Sequence, residues 1–182
     1  MITIFFGIQQ FLEGFVWLGV TYEQFPGLLN VSSYGYILFA WIIWPTYIPF
    51  TMLKLEHNPV RKKILIVMIF IGVMVASMLV YVLISDGVNA KVQDCRILYY
   101  SGTLYAQLKL FGIFYIICVI LPHLISSVGK MWVLGIINVF SYVLVKMYFN
   151  DNVISVWCFF AAISSAVILW IISSALPMRE KT

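Results

Sequence analysis

The chain has 182 residues, of which 63% are hydrophobic and only 10% charged, with a net charge of +4. A soluble domain carries about 25% charged residues, so the composition excludes one and describes an integral membrane protein with short loops. The positive balance is not a nucleic-acid signal, because the basic residues cluster beside apolar runs. Three cysteines make no disulfide framework. Cys118 and Cys158 lie inside apolar runs, and Cys95 stands alone in a loop. No basic segment precedes the first apolar run, so no signal peptide is expected.

Six runs are long and apolar enough to cross a bilayer as helices, at about 2–20, 34–53, 64–84, 110–128, 131–149 and 153–176. The expected fold is an all-α polytopic transmembrane bundle of six spans, one domain over 1–182. The first run holds Gln9, Gln10 and Glu13. An ionised carboxylate near mid-bilayer costs about 2.5 kcal/mol or more, so Glu13 is expected to face other helices. Gln10, Glu13, Gly14 and Trp17 share one helix face by spacing, and Gly14 would let a neighbour approach closely.

In the second run, Pro45 has no N–H and frees the carbonyl of Trp41, which falls at the depth of Glu13 at about 1.5 Å per residue. The following loop, KLEHNPVRKK over 54–63, pairs Asn58 and Pro59 as cap and first-turn residue for the third helix. Arg61, Lys62 and Lys63 read as an orientation signal that also meets anionic lipid headgroups. The third run is uniformly aliphatic and is expected to face lipid. The 85–109 loop is the longest; it reads as a lid or binding segment, or as a tyrosine-anchored connector at the interface.

In the fourth run, Pro122 frees the carbonyl of Cys118 near mid-membrane, and His123 follows about two turns below Glu13. In the fifth, Ser141 and Tyr142 reach the depth of Glu13. Asn138, Tyr142 and Lys146 form a stripe there, with Lys146 close enough to the end to snorkel. In the sixth, Ser164 and Ser165 lie slightly deeper, and Cys158, Ala161, Ala162 and Ser165 make a small-residue face suited to close packing.

Lys54, Arg61, Lys62, Lys63, Lys130, Arg179 and Lys181 gather on one side of these spans, against Lys91, Arg96 and Lys109 on the other. The first side is therefore expected to be cytoplasmic, with the C-terminus. The expected polar centre comprises Glu13, Gln9, Gln10, Trp41, Cys118 and Tyr142, with Asn138, His123 and Lys146 as secondary candidates. It reads either as a ligand, proton or ion site or as hydrogen-bonding glue between helices. His57 and His123 are separated and lack ligand spacing, so no metal and no cofactor are expected. No GxSxG, HExxH, phosphate-loop or dinucleotide motif appears, and the one Ser–His neighbourhood is Ser126 and Ser127 beside His123. Three functions remain open. One is a small-solute, proton or ion transporter or ligand-binding protein centred on Glu13. The others are an intramembrane lipid hydrolase of seven-helix type and a structural or assembly protein. The expected partner is the lipid bilayer, with no nucleic acid, and the oligomeric state is not encoded.

The blocks FGIQQFLEGFVW at 6–17, WPTYIP at 44–49 and SVWCFFAAISS at 155–165 resemble those of an uncharacterised bacterial family of multi-spanning membrane proteins, a domain of unknown function. The resemblance covers most of the chain and points to Gln9, Gln10, Glu13, Pro45, Trp157 and Cys158. Members of that family open with a further apolar helix, whereas this chain starts almost at the QQxxEG helix. With such a helix the family would have seven spans and an outside N-terminus. The resemblance implies a bacterial plasma-membrane address and no particular activity.

Overall fold

The computed structural model describes residues 2–22, 26–101, 104–149 and 152–175, with the backbone alone at 26, 104–110 and 171–175. Helix α1 covers Ile2–Thr21. Helix α2 is built of three abutting stretches, Pro26–Ile37, Leu38–Ile43 and Trp44–Leu55, the middle one a π-helix. Helix α3 covers Pro59–Asp86, strands β1 and β2 cover Asn89–Gln93 and Arg96–Tyr100, and α4, α5 and α6 cover Leu104–Ile125, Met131–Tyr148 and Val153–Ala175. Among the described residues, five helical stretches are long and apolar enough to cross a membrane: Ile2–Thr21, Gly27–Leu55, Pro59–Asp86, Met131–Tyr148 and Val153–Trp170. Helix α4 adds a shorter apolar stretch, Phe111–Ile125. Phe11, Phe70, Ile84 and Ile113 turn outward, where hydrocarbon rather than water suits them.

The π stretch of α2 follows from its proline. The Trp44 N–H turns back to the Phe39 carbonyl, five residues away, and Pro45 has no N–H to give. The Ala40 carbonyl thereby loses its usual donors, and the Tyr115 hydroxyl of α4 donates to it at 2.5 Å. The sequence reading places the freed carbonyl at Trp41; the change of helical register frees the carbonyl of Ala40 and recruits a tyrosine from another helix.

Two expectations about packing faces need correction. Helix α3 is not simply a lipid-facing span: Leu65, Met68, Gly72, Val75, Ala76, Leu79, Val82 and Leu83 bury one face. At Gly72 an added Cβ would stand 2.1 Å from the Pro45 carbonyl oxygen, so glycine is what lets α3 close on the bent α2. An all-aliphatic helix hides its buried face, because both faces read the same. In α1, the buried stripe is Phe6, Gln9, Glu13 and Val16, while Gly14 and Trp17 are exposed. Gly14 has open space around it; the close approach falls instead at Gly19, where a Cβ would meet Leu29 Cα at 2.8 Å.

The long loop contains an antiparallel hairpin, with register Asn89↔Tyr100 through Gln93↔Arg96. Its two-residue turn, Asp94–Cys95, has φ of 51° and 57°, as the right-handed twist of paired strands requires. Along β2, Ile97 and Tyr99 are buried, and Tyr99 stacks on Tyr36 of α2 with centroids 4.8 Å apart. The hairpin thus covers one end of the bundle. At the other end the turn between α2 and α3 meets the turn between α4 and α5, through Glu56 and Ser127. The 28 residues of α3 separate these ends by about 42 Å.

Candidate functional site

Glu13 is 7% exposed and belongs to the interior of the bundle. Its carboxylate accepts a hydrogen bond from the hydroxyl of Ser155, in the first turn of α6. Tyr36, Tyr99 and Cys158 are polar residues of its surroundings, and Gln10, one turn back on the same helix, makes no hydrogen bond through its Nε2 among the described residues. Among the described residues no Lys, Arg or His is ion-paired with it.

One turn earlier, Gln9 is fully buried and links three helices. The Trp44 indole N–H donates to Gln9 Oε1 at 2.7 Å, and Gln9 Nε2 donates to Cys158 Sγ at 3.2 Å. An indole nitrogen can only donate, which fixes the amide orientation. Tyr36 faces Cys158 and donates to the Ile154 carbonyl at 3.4 Å. The polar centre therefore draws on α1, α2, α6 and the hairpin. Tyr36, Trp44, Tyr99 and Ser155 were not picked out from sequence. Tyr36 and Trp44 sit in an aromatic-rich span where such residues ordinarily read as anchors at the interface. Ser155 sits at a helix start, where serine reads as a cap.

The remaining expected residues divide. Trp41 is buried in the same apolar cluster as Tyr36 and Cys158, and its indole nitrogen has no hydrogen-bond partner. Cys118 turns to α3, its thiol donating to the Met68 carbonyl at 3.5 Å. Tyr142 is half-buried and packs edge-on against Trp157 with centroids 5.1 Å apart. Lys146 is exposed near the end of α5.

His123 and Asn138 are buried and line a cavity of about 30 Å³, together with Trp157, Cys158 and Ser164. One water needs about 10–15 Å³. His123 Nδ1 donates to the Val119 carbonyl at 3.0 Å. Gly135 makes room for this region, since a Cβ there would meet Leu124 Cδ2 at 2.4 Å and His123 Cβ at 3.3 Å. The expected cluster at one depth is therefore two neighbouring polar regions, a carboxyl centre under the hairpin and a polar cavity, with Cys158 at the border.

A second buried carboxylate, Glu56, is 1% exposed and was not singled out from sequence. It accepts from the Ser127 hydroxyl, from His57 N and Asn58 N at 2.9 Å each, and from Ser127 N at 2.8 Å. The Ser127 hydroxyl and these backbone amides hold its carboxyl well below the usual carboxylate range, at about 2. The Ser127 hydroxyl is thus engaged with Glu56. Asn58 caps α3, its Oδ1 accepting from Val60 N at 2.9 Å and Arg61 N at 3.3 Å. Among the described residues no three His, Cys, Asp or Glu side chains come together.

Long apolar helices, outward aromatic and aliphatic side chains and an interior polar centre define a multi-span helical membrane protein. The profile of the family of unknown function DUF6629 matches residues 1–181, and the chain belongs to that family. No curated protein and no solved structure matches it.

Proposed function

We propose that the protein carries protons within the membrane and that Glu13 is the group that holds them. The observation that supports this is a carboxyl buried inside the bundle with a hydroxyl as its hydrogen-bond partner and, among the described residues, no cation paired with it. An uncompensated carboxylate in such surroundings is expensive, whereas the same group bearing a proton is not. Tyr36, Ser155 and Cys158 around it each carry an exchangeable proton. A cation would call for several oxygen ligands.

The test is proton flux. Purified protein goes into liposomes holding a pH-sensitive dye, and a potassium gradient with valinomycin sets the driving voltage. The expected result is dye acidification that is lost in Glu13→Gln. Equal flux in the two proteins would rule the reading out.

The orientation that fits this reading places the Glu56 end in the cytoplasm. Lys54, Arg61, Lys62 and Lys63 flank that turn, and the Ser127–Glu56 contact brings the turn bearing Lys130 beside them. This is the positive-inside distribution, suited to anionic headgroups. Cys95, exposed at the hairpin tip while Cys118 and Cys158 are buried, would then react with a membrane-impermeant maleimide added to intact cells. Labelling only after lysis would reverse the orientation.

A further inference from the structure

Helices α1, α2, α4, α5 and α6 all contribute to the wall of the cavity of about 30 Å³, and most of that wall is apolar. A wholly apolar cavity stays dry. Three polar side chains break the pattern, His123 from α4, Asn138 from α5 and Ser164 from α6. All three are buried, and each has hydrogen-bonding capacity left over. A carbonyl only accepts, so the His123 ring donates from Nδ1 to Val119 at 3.0 Å, and Nε2 of that tautomer is an acceptor. The Ser164 hydroxyl donates to the Phe160 carbonyl at 3.0 Å, and its oxygen can still accept. Asn138 accepts from the Ser141 hydroxyl at its main-chain carbonyl, while its side-chain amide has no partner among the described residues. Trp157, from the same wall, adds an indole N–H without a partner. Buried donors and acceptors are rarely left unserved unless water serves them.

We propose that this cavity is a water-binding site whose occupants join His123, Asn138 and Ser164 across α4, α5 and α6. At roughly 10–15 Å³ for each water, the space takes about two molecules. Water suits the vacant groups because it donates and accepts at once. His123 Nε2 and the Ser164 oxygen call for a donor, and the Asn138 amide can serve in both senses. A cation does not suit them, since no carboxylate stands in the wall. Tyr115 also lines the cavity, but its hydroxyl is committed to the Ala40 carbonyl. The water thus does across α4, α5 and α6 what the Gln9 amide does directly across α1, α2 and α6, where it bonds Trp44 and Cys158. Glu13 is not part of the wall, so the proposal is independent of the proton-carrying reading.

The experiment uses the full chain, isotopically labelled and reconstituted in lipid bilayers, and follows magnetisation transfer from water to side-chain N–H groups by solid-state NMR. The Asn138 amide is expected to receive it. The Gln9 amide, fully buried and bonded at both ends, is expected to stay silent in the same sample. Ala161→Leu adds bulk to the wall without removing a polar group, and the Asn138 signal is expected to be lost in it. An Asn138 amide as silent as that of Gln9 in the unsubstituted protein would mean a dry cavity and overturn the proposal. Equal signals at both amides would overturn it as well, because water would then pervade the bundle rather than occupy a site. So would an Asn138 signal that survives in folded Ala161→Leu. If Ala161→Leu does not fold, the milder Ala161→Val takes its place, and the comparison of Asn138 with Gln9 needs no variant.

Discussion

Glu13 and Glu56 are both buried and their surroundings have almost nothing in common. Glu56 lies in a turn between two helices, where backbone N–H groups have no helical partners to serve. Three of them and a serine hydroxyl converge on its carboxylate. Glu13 lies inside a helix, where every N–H of the surrounding turns is already spent on a carbonyl. Only side chains are left to face it, and among the described residues the Ser155 hydroxyl is the one that donates to it. Burial therefore does not set the behaviour of a carboxyl; the supply of donors does. Glu56 is built to stay charged and to tie two turns together. Glu13 has the Ser155 hydroxyl in place of that ring of amides, and the proposed proton-carrying role rests on this difference.

The contrast can be tested most severely at Glu56. Replacing it by alanine strips the acceptor from three backbone amides, and the expected loss of stability is about 3 kcal/mol, at roughly 1 kcal/mol or more for each stranded donor. Thermal unfolding in detergent should show it, and an unchanged midpoint would mean that the clamp holds nothing. A smaller effect is expected from Ser127→Ala, which keeps the backbone amide and removes one hydroxyl donor to a charged group, about 1.5 kcal/mol. The pH response should follow the same asymmetry. The folded Glu56 carboxyl titrates near 2 rather than at its ordinary 4.5. Its contribution is therefore complete above about 4.5 and is lost as the pH falls towards 2. Unfolding midpoints measured across that window should fall less steeply in Glu56→Gln than in the native chain. The smallest structural effect is expected at Glu13→Gln, within about 1 kcal/mol, because an amide oxygen can still accept from Ser155. A loss as large as that of Glu56→Ala would make Glu13 a structural tie of the same kind and erase the distinction.

Much of the architecture could be read from residues alone. The apolar runs match helices of the structure to within a few residues at most ends, because lipid demands length and apolarity and little else. The second and fourth helices began earlier than expected, at Pro26 and Leu104, where polar and aromatic residues masked the helical period. Asn58 and Pro59 announced the start of α3 correctly, since a cap is a local device. The hairpin was missed because RILYY does not alternate apolar with polar residues; the alternation appears only in its burial, once Ile97 and Tyr99 meet the bundle. Glu56 was missed because a glutamate in a basic loop reads as solvated. The donors that bury it arrive from a turn 71 residues away.

Composition, run length and transfer cost are properties of the chain, so they suffice to mark a multi-span helical membrane protein with a carboxyl inside its first span. Which groups meet that carboxyl is a matter of packing. The rotation of α1, the π register forced by Pro45 and the folding of the hairpin over Tyr36 depend on contacts between distant segments. No local pattern encodes which of two glutamates will be ringed by amides and which will stand almost alone.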